Sequence, residues 1–167
     1  MSDERKQIIL VGGVTGSGKT TFSAVFKNSF LQSLPYRNLS EGVSSDSSFY
    51  FETNLSNESQ LSYLKDAKSK GFHITAYYLF TGKSLSFARA RLRQVAKGEP
   101  FDEALFKKTY DLSLKGLAKL YDVADLVFFI RNQEKFEFLS AFQPAKSSLE
   151  LFSSTIKQIR NSVDNLH

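Results

Sequence analysis

The run Gly13-Val14-Thr15-Gly16-Ser17-Gly18-Lys19-Thr20 fits G-x-x-x-x-G-K-[ST] in full. Each residue type has a chemical reason to be there. Glycines let successive main-chain N–H groups turn inward as an anion nest, and a helix that follows presents its positive N-terminal end. Lys19 is placed to reach terminal phosphates, and the Thr20 hydroxyl to ligate the Mg²⁺ that neutralises them. The phosphate-cradling segment extends from Gly13 through Thr21. The plain alternative is a glycine-rich turn that matches by accident. Its surroundings argue against that, since a buried apolar run precedes it and an amphipathic one follows.

Phosphoryl transfer needs more than a cradle: a group that orients or deprotonates the nucleophile, and cations over the moving phosphoryl group. Glu52 ends the apolar run Phe49-Tyr50-Phe51, where a parallel sheet places ligand-facing residues at its carboxyl edge. It is a candidate for holding an acceptor hydroxyl or a metal-bound water, with Thr53 beside it. Its alternative is an exposed carboxylate paired with a surface lysine. Arg89 and Arg93 share one helix face, and Arg91 points nearly the opposite way. A shared arginine face beside the Gly98-Glu99-Pro100 break suits a phosphate clamp on a hinged lid, and it equally suits a solvated basic face.

The elements that must position these residues follow from periodicity. Ile8–Val11 reads as a strand buried on both faces. Lys19 to about Ser33 has helical spacing, with Phe22, Phe26 and Phe30 every four residues. Tyr36–Leu39 is a candidate short strand, and the Ser-rich stretch 40–48 reads as a loop or lid. Phe49–Phe51 is the next strand. A helix starts around Leu55–Glu58 and runs to about Lys70, His73–Phe80 is a strand, and Leu85–Lys97 a basic helix. A further helix covers roughly Glu103–Tyr121, and Leu126–Ile130 is the last strand. A C-terminal helix at about 147–166 carries Leu149, Phe152, Ile156, Ile159, Val163 and Leu166 on one face. Strands alternating with helices, and apolar throughout, indicate an α/β fold: three layers around a mostly parallel sheet of about five strands. Residues 1–167 form a single domain in this reading.

Composition bounds the functional classes. The chain has 167 residues, 41% hydrophobic and 23% charged, within the globular range. It has no cysteine, which removes disulfides, thiol catalysis and thiolate metal sites. Two histidines, His73 and His167, do not make a histidine metal cluster, and His73 reads as structural. A net charge of +5 suits phosphates but gives little support to nucleic-acid binding. The apolar run Ile8–Val11 is too short for an export signal or a spanning helix, so a cytoplasmic location without membrane contact is expected.

Four segments together resemble the zeta-toxin-like group of P-loop kinases. They are Gly13–Thr20, the strand Phe49-Tyr-Phe-Glu52-Thr53-Asn-Leu-Ser56, the arginine helix Arg89-Ala-Arg-Leu-Arg93 with Gly98 and Tyr110–Leu117 beyond it, and Asp125-Leu-Val-Phe-Phe-Ile-Arg-Asn132. The resemblance covers about residues 7–133. It implies a three-layer, kinase-like P-loop fold, ATP and Mg²⁺ as cofactors, and transfer of the γ-phosphoryl group to a hydroxyl acceptor or to water. The best-known members phosphorylate UDP-N-acetylglucosamine. Carried over, the family's pattern gives Lys19, Glu52, Arg89 and Arg93 catalytic roles, with Glu52 and Thr53 toward the acceptor. The chain departs from that pattern in four respects. Ser40, in Asn38-Leu39-Ser40-Glu41, stands where acting kinases carry an aspartate base, with Asp46 or Glu41 as substitutes that nothing in the spacing requires. The stretch from there to Glu52 is short, Lys97-Gly98-Glu99 stands for Gly-Gly-His, and Thr109 replaces an arginine, with Lys108 or Arg93 able to supply the charge. The alternative is a degenerate nucleotide-binding module that acts through a partner. An antitoxin-type partner is compatible with the resemblance, though no residue indicates one, and neither the small-molecule acceptor nor the oligomeric state is legible.

Overall fold

The computed structural model describes residues 5–164. Strands β1 (Gln7–Gly13), β2 (Phe49–Thr53), β3 (His73–Phe80), β4 (Leu126–Asn132) and β5 (Phe136–Phe142) form one sheet in the order β2-β1-β3-β4-β5. The first four are mutually parallel and β5 is antiparallel to β4. Helices α1 (Lys19–Val25), α2 (Leu39–Ser45), α3 (Glu58–Ser69), α4 (Lys83–Ala96), α5 (Glu103–Lys119) and α6 (Leu149–Asp164) connect and cover the strands.

Both faces of the central strands are buried, which explains their unbroken apolar runs. One face (Ile8, Leu10, Phe49, Phe51, Tyr78, Phe129) packs under α2, α3, α5 and α6. The other (Ile9, Val11, Tyr77, Leu79, Ile130) packs under Phe22 of α1 and Leu31. The expected three-layer α/β arrangement is therefore the one found. No helix among the described residues is long and apolar enough to cross a membrane.

Four expectations need correction. The helix beginning at Lys19 stops at Val25 instead of Ser33. Beyond it the hydrogen bonds lose helical spacing (Leu31 N–H to Phe26 O, Ser33 N–H to Lys27 O), and the chain curls so that Leu31 is fully buried. Tyr36–Leu39 is not a strand. Tyr36 makes a single bridge to Tyr50, after which Asn38 caps a helix. That helix, α2, replaces the loop expected over 40–48: the Asn38 side chain accepts the Glu41 N–H at 2.9 Å, and Leu39 and Val43 enter the core. The fifth strand is β5, which was not foreseen. Leu166, placed on the last helix, and His167 lie outside the described residues.

Candidate phosphate-binding site

Four parallel strands end at one edge of the sheet, so Gly13, Thr53, Phe80 and Asn132 are brought together there. The loop from Gly13 to Gly18 leaves β1 and turns directly into α1. Gly16 has φ +86 and Gly18 φ +95, both in the left-handed region. Neither has room for a side chain. A methyl group at Gly16 would lie 2.6 Å from the Ser86 carbonyl oxygen, and one at Gly18 2.4 Å from Asn132 Nδ2. The Ser17 N–H donates to Val14 O at 3.0 Å, closing the loop, and the Ser17 Oγ is buried with no protein partner.

Lys19 folds back over this turn. Its Nζ donates to the carbonyls of Gly13 at 2.8 Å and Val14 at 3.0 Å. Burial lowers its pKa from 10.5 to about 8, with Glu52 opposing the shift and Arg93 adding to it. These couplings put Glu52 and Arg93 within electrostatic reach of the ammonium group. The next residues, Thr20 and Thr21, are exposed in the first turn of α1.

Alternation along β2 sorts its carboxyl end. Phe49, Phe51 and Thr53 face the core under α3, whereas Tyr50 and Glu52 face the other way. Glu52 Oε1 is buried and unpartnered. Thr53 is committed elsewhere: its hydroxyl donates to Gln60 Oε1 and accepts the Leu55 N–H at 3.0 Å. The structure thus brings Glu52 together with Lys19 and turns Thr53 into the β2–α3 connection.

The arginines also separate. Arg89 is half-buried and donates to Gly16 O at 3.4 Å and Gln133 O at 3.1 Å, tying α4 to the phosphate loop and to the β4–β5 turn. Arg93, one turn further along, is exposed. Ser40 is exposed in the first turn of α2, where its hydroxyl donates to Asn38 Oδ1.

Two residues that sequence reasoning left without a role buttress the loop. Asn132 Nδ2 donates to Ser17 O at 2.8 Å, and the Thr81 hydroxyl donates to Asn132 O at 2.9 Å. Their signal was positional, since each sits at or just past the carboxyl end of a strand. An open groove of about 1060 Å³ starts beside them, lined by Gly82 just before α4, by Lys83, Leu85 and Ala88 on α4, and by Gln133 and Lys135 on the turn.

Neither a protein-family model nor a curated protein sequence matches the chain. Solved structures do. The chain is similar to the PezAT chromosomal toxin–antitoxin system of Streptococcus pneumoniae, with 12% identity and a TM-score of 0.61 over 99% of this chain and 90% of that one. It is also similar to AvrRxo1-ORF1:-ORF2, solved with ATP, with 14% identity and a TM-score of 0.54. That match covers 98% of this chain and 65% of the other. At such identities the likeness is one of fold. What they share with this chain is the α/β architecture, a mostly parallel five-stranded sheet with helices on both faces.

Proposed function

We propose that residues 1–167 form one nucleotide-binding domain that holds ATP with Mg²⁺ and passes its γ-phosphoryl group to a hydroxyl acceptor or to water. The observation that carries this reading is the loop itself: Gly16 and Gly18 in left-handed conformations around a turn that begins a helix, with the Lys19 ammonium group lying across it. Main-chain N–H groups and the α1 N-terminus would hold the β- and γ-phosphates, and Lys19 would neutralise them. The groove between α4 and the β4–β5 turn is on the side where the rest of the nucleotide would lie, with Arg89 at the junction.

The residues present suit a divalent cation. Thr20 offers an exposed hydroxyl in the first turn of α1 as a ligand, and the Glu52 carboxylate at the end of β2 would face the acceptor or the water shell of the ion. Bound there, Mg²⁺ would shield the phosphate charge. Glu52 would orient the attacking hydroxyl and accept its proton at Oε1, and Arg93 would reach the phosphoryl oxygens from α4. Arg89 is better placed to fix the loop than to move with the phosphate. Thr53 is proposed to hold the β2–α3 turn instead of contacting the acceptor.

A second reading has one observation in its favour. The aspartate expected as base is Ser40, exposed and hydrogen-bonded to its own helix cap. In this reading the domain binds nucleotide without turning it over and acts through a partner, for which a toxin–antitoxin-type arrangement is the nearest model. Calorimetry with Mg-ATP tests the shared core: Lys19→Ala should abolish binding and leave the fold intact, and unchanged affinity would refute both readings. ATP consumption with and without candidate acceptors separates them. Turnover that disappears in Glu52→Gln supports the enzyme, and tight binding without turnover supports the module.

A further inference from the structure

An open sheet has two edges, and this protein treats them differently. At the β2 edge the segment Pro35–Arg37 runs alongside the strand. The Tyr50 N–H donates to Pro35 O at 3.0 Å, the Arg37 N–H donates to Tyr50 O at 3.1 Å, and the Tyr36 ring packs edge-on against Tyr50. That edge is covered. At the opposite edge β5 pairs with β4 on its inner side, and among the described residues no strand pairs with its outer side.

The sequence of β5, Phe-Glu-Phe-Leu-Ser-Ala-Phe, has neither lysine nor proline, the residues that usually discourage strand addition. Its one protection is a bulge opposite Phe129–Ile130. Its single charge, Glu137, is held by Arg131 of β4 at 2.7 Å and leaves the strand electrically quiet. Phe138 is 43% exposed and Leu139 37%. On one face the apolar surface continues from Phe138 to Phe30, their ring centroids 4.9 Å apart, with Phe30 itself 38% exposed. A row of unpaired peptide groups flanked by aromatic side chains is a template for another strand.

We infer that the partner strand is β5 of a second copy of this chain, antiparallel about a twofold axis, so that two sheets join into one. Three features favour a copy over another partner. Antiparallel self-pairing offers every outward N–H and C=O its complement through a single symmetric patch. It sends the two Glu137 side chains toward opposite ends of the joint, each already neutralised by its own Arg131, so no like charges meet. It also lays the exposed Phe138 and Phe30 of one chain beside the same apolar surface of the other. A seven-residue ladder with this flank falls in the small-interface class, below about 1,200 Å², so the dimer is weak and concentration-dependent. The joint contains none of Lys19, Glu52 or Arg93, and its failure would leave the nucleotide reading untouched.

Sedimentation velocity on the full chain, from about 1 to 100 µM as suits a weak interface, tests this. The mass should climb from 18.8 kDa toward twice that value. Hydrogen exchange of the β5 amides should slow over the same range. Leu139→Lys and, separately, Ala141→Lys should hold the protein at the monomer mass while keeping the wild-type melting curve. A wild-type chain that stays at 18.8 kDa with concentration-independent β5 exchange would overturn the inference, including the case in which a different protein supplies the strand. So would a dimer that persists in both lysine variants. If a variant fails to fold, the wild-type mass and exchange data still decide.

Discussion

The lowered pKa of Lys19 gives nucleotide binding and fold stability opposite responses to pH. In the free protein the ammonium group is held mainly by two main-chain carbonyls in a buried turn, and burial brings its pKa down to about 8 from 10.5. A polyphosphate beside it favours the charged form and raises the pKa again, so binding above pH 8 must take up a proton. Affinity should then fall about tenfold per pH unit beyond 8, reaching about 30-fold, or roughly 2 kcal/mol, by pH 9.5. Stability of the free protein goes the other way. Between 8 and 10.5 the unfolded chain binds more protons at this site than the folded one, so unfolding free energy rises with pH. The rise is bounded at about 3 kcal/mol over the full interval. Tyr50, Tyr77, Tyr78 and Tyr110 are all raised by burial and would lower stability as pH rises, but only above their ordinary value of 10.0, so the window closes at pH 9.5. Calorimetry of Mg-ATP binding in two buffers of different ionisation enthalpy measures the proton uptake. Urea titrations of the free protein measure the stability. Lys19→Met should flatten the stability slope and eliminate binding. An affinity that stays constant from pH 7.5 to 9.5 with no proton uptake would refute the reasoning.

Glu52→Gln should leave Mg-ATP affinity within a few-fold of wild type while cutting turnover by about 10²–10⁴-fold, the usual loss for a general base, as read in a coupled ATP assay. Gly16→Ala puts a methyl group 2.6 Å from the Ser86 carbonyl oxygen at a φ of +86. It should cost at least about 1–2 kcal/mol by thermal melting and weaken phosphate binding more than tenfold. Gly116→Ala tests the core beneath the site, because its methyl group would meet the Leu55 carbonyl where α5 crosses the β2–α3 turn. Overpacking there should lower stability by about 1–3 kcal/mol in denaturant titration.

What could be seen in the sequence was whatever local spacing fixes. The phosphate loop is eight consecutive residues, and the buried strands on either side are continuous apolar runs, so loop and central sheet were both legible. Glu52 was legible from its place at the carboxyl end of an apolar run, whereas the alternation along β2 that turns Thr53 away from it shows only in the folded strand. Periodicity misled at α1. Phe22, Phe26 and Phe30 do contact one another in sequence, at 4.7 and 5.0 Å, but irregular turns preserve those contacts after the helix has ended. Composition misled at α2, where a Ser-rich stretch hid the Asn38 cap. β5 was missed because half of it faces solvent as an edge, which leaves no continuous apolar run. The buttress from Asn132 to Ser17 spans 115 residues, a pairing that only the assembled sheet reveals.

The most direct test is a crystal structure of the protein grown with magnesium and a non-hydrolysable ATP analogue. The account predicts β- and γ-phosphates seated on the main-chain N–H groups of Gly16–Thr20, the Lys19 ammonium group against them, and a cation between Thr20 and the phosphate oxygens. An empty turn, with Lys19 still bonded only to the Gly13 and Val14 carbonyls and the nucleotide bound elsewhere, would contradict it.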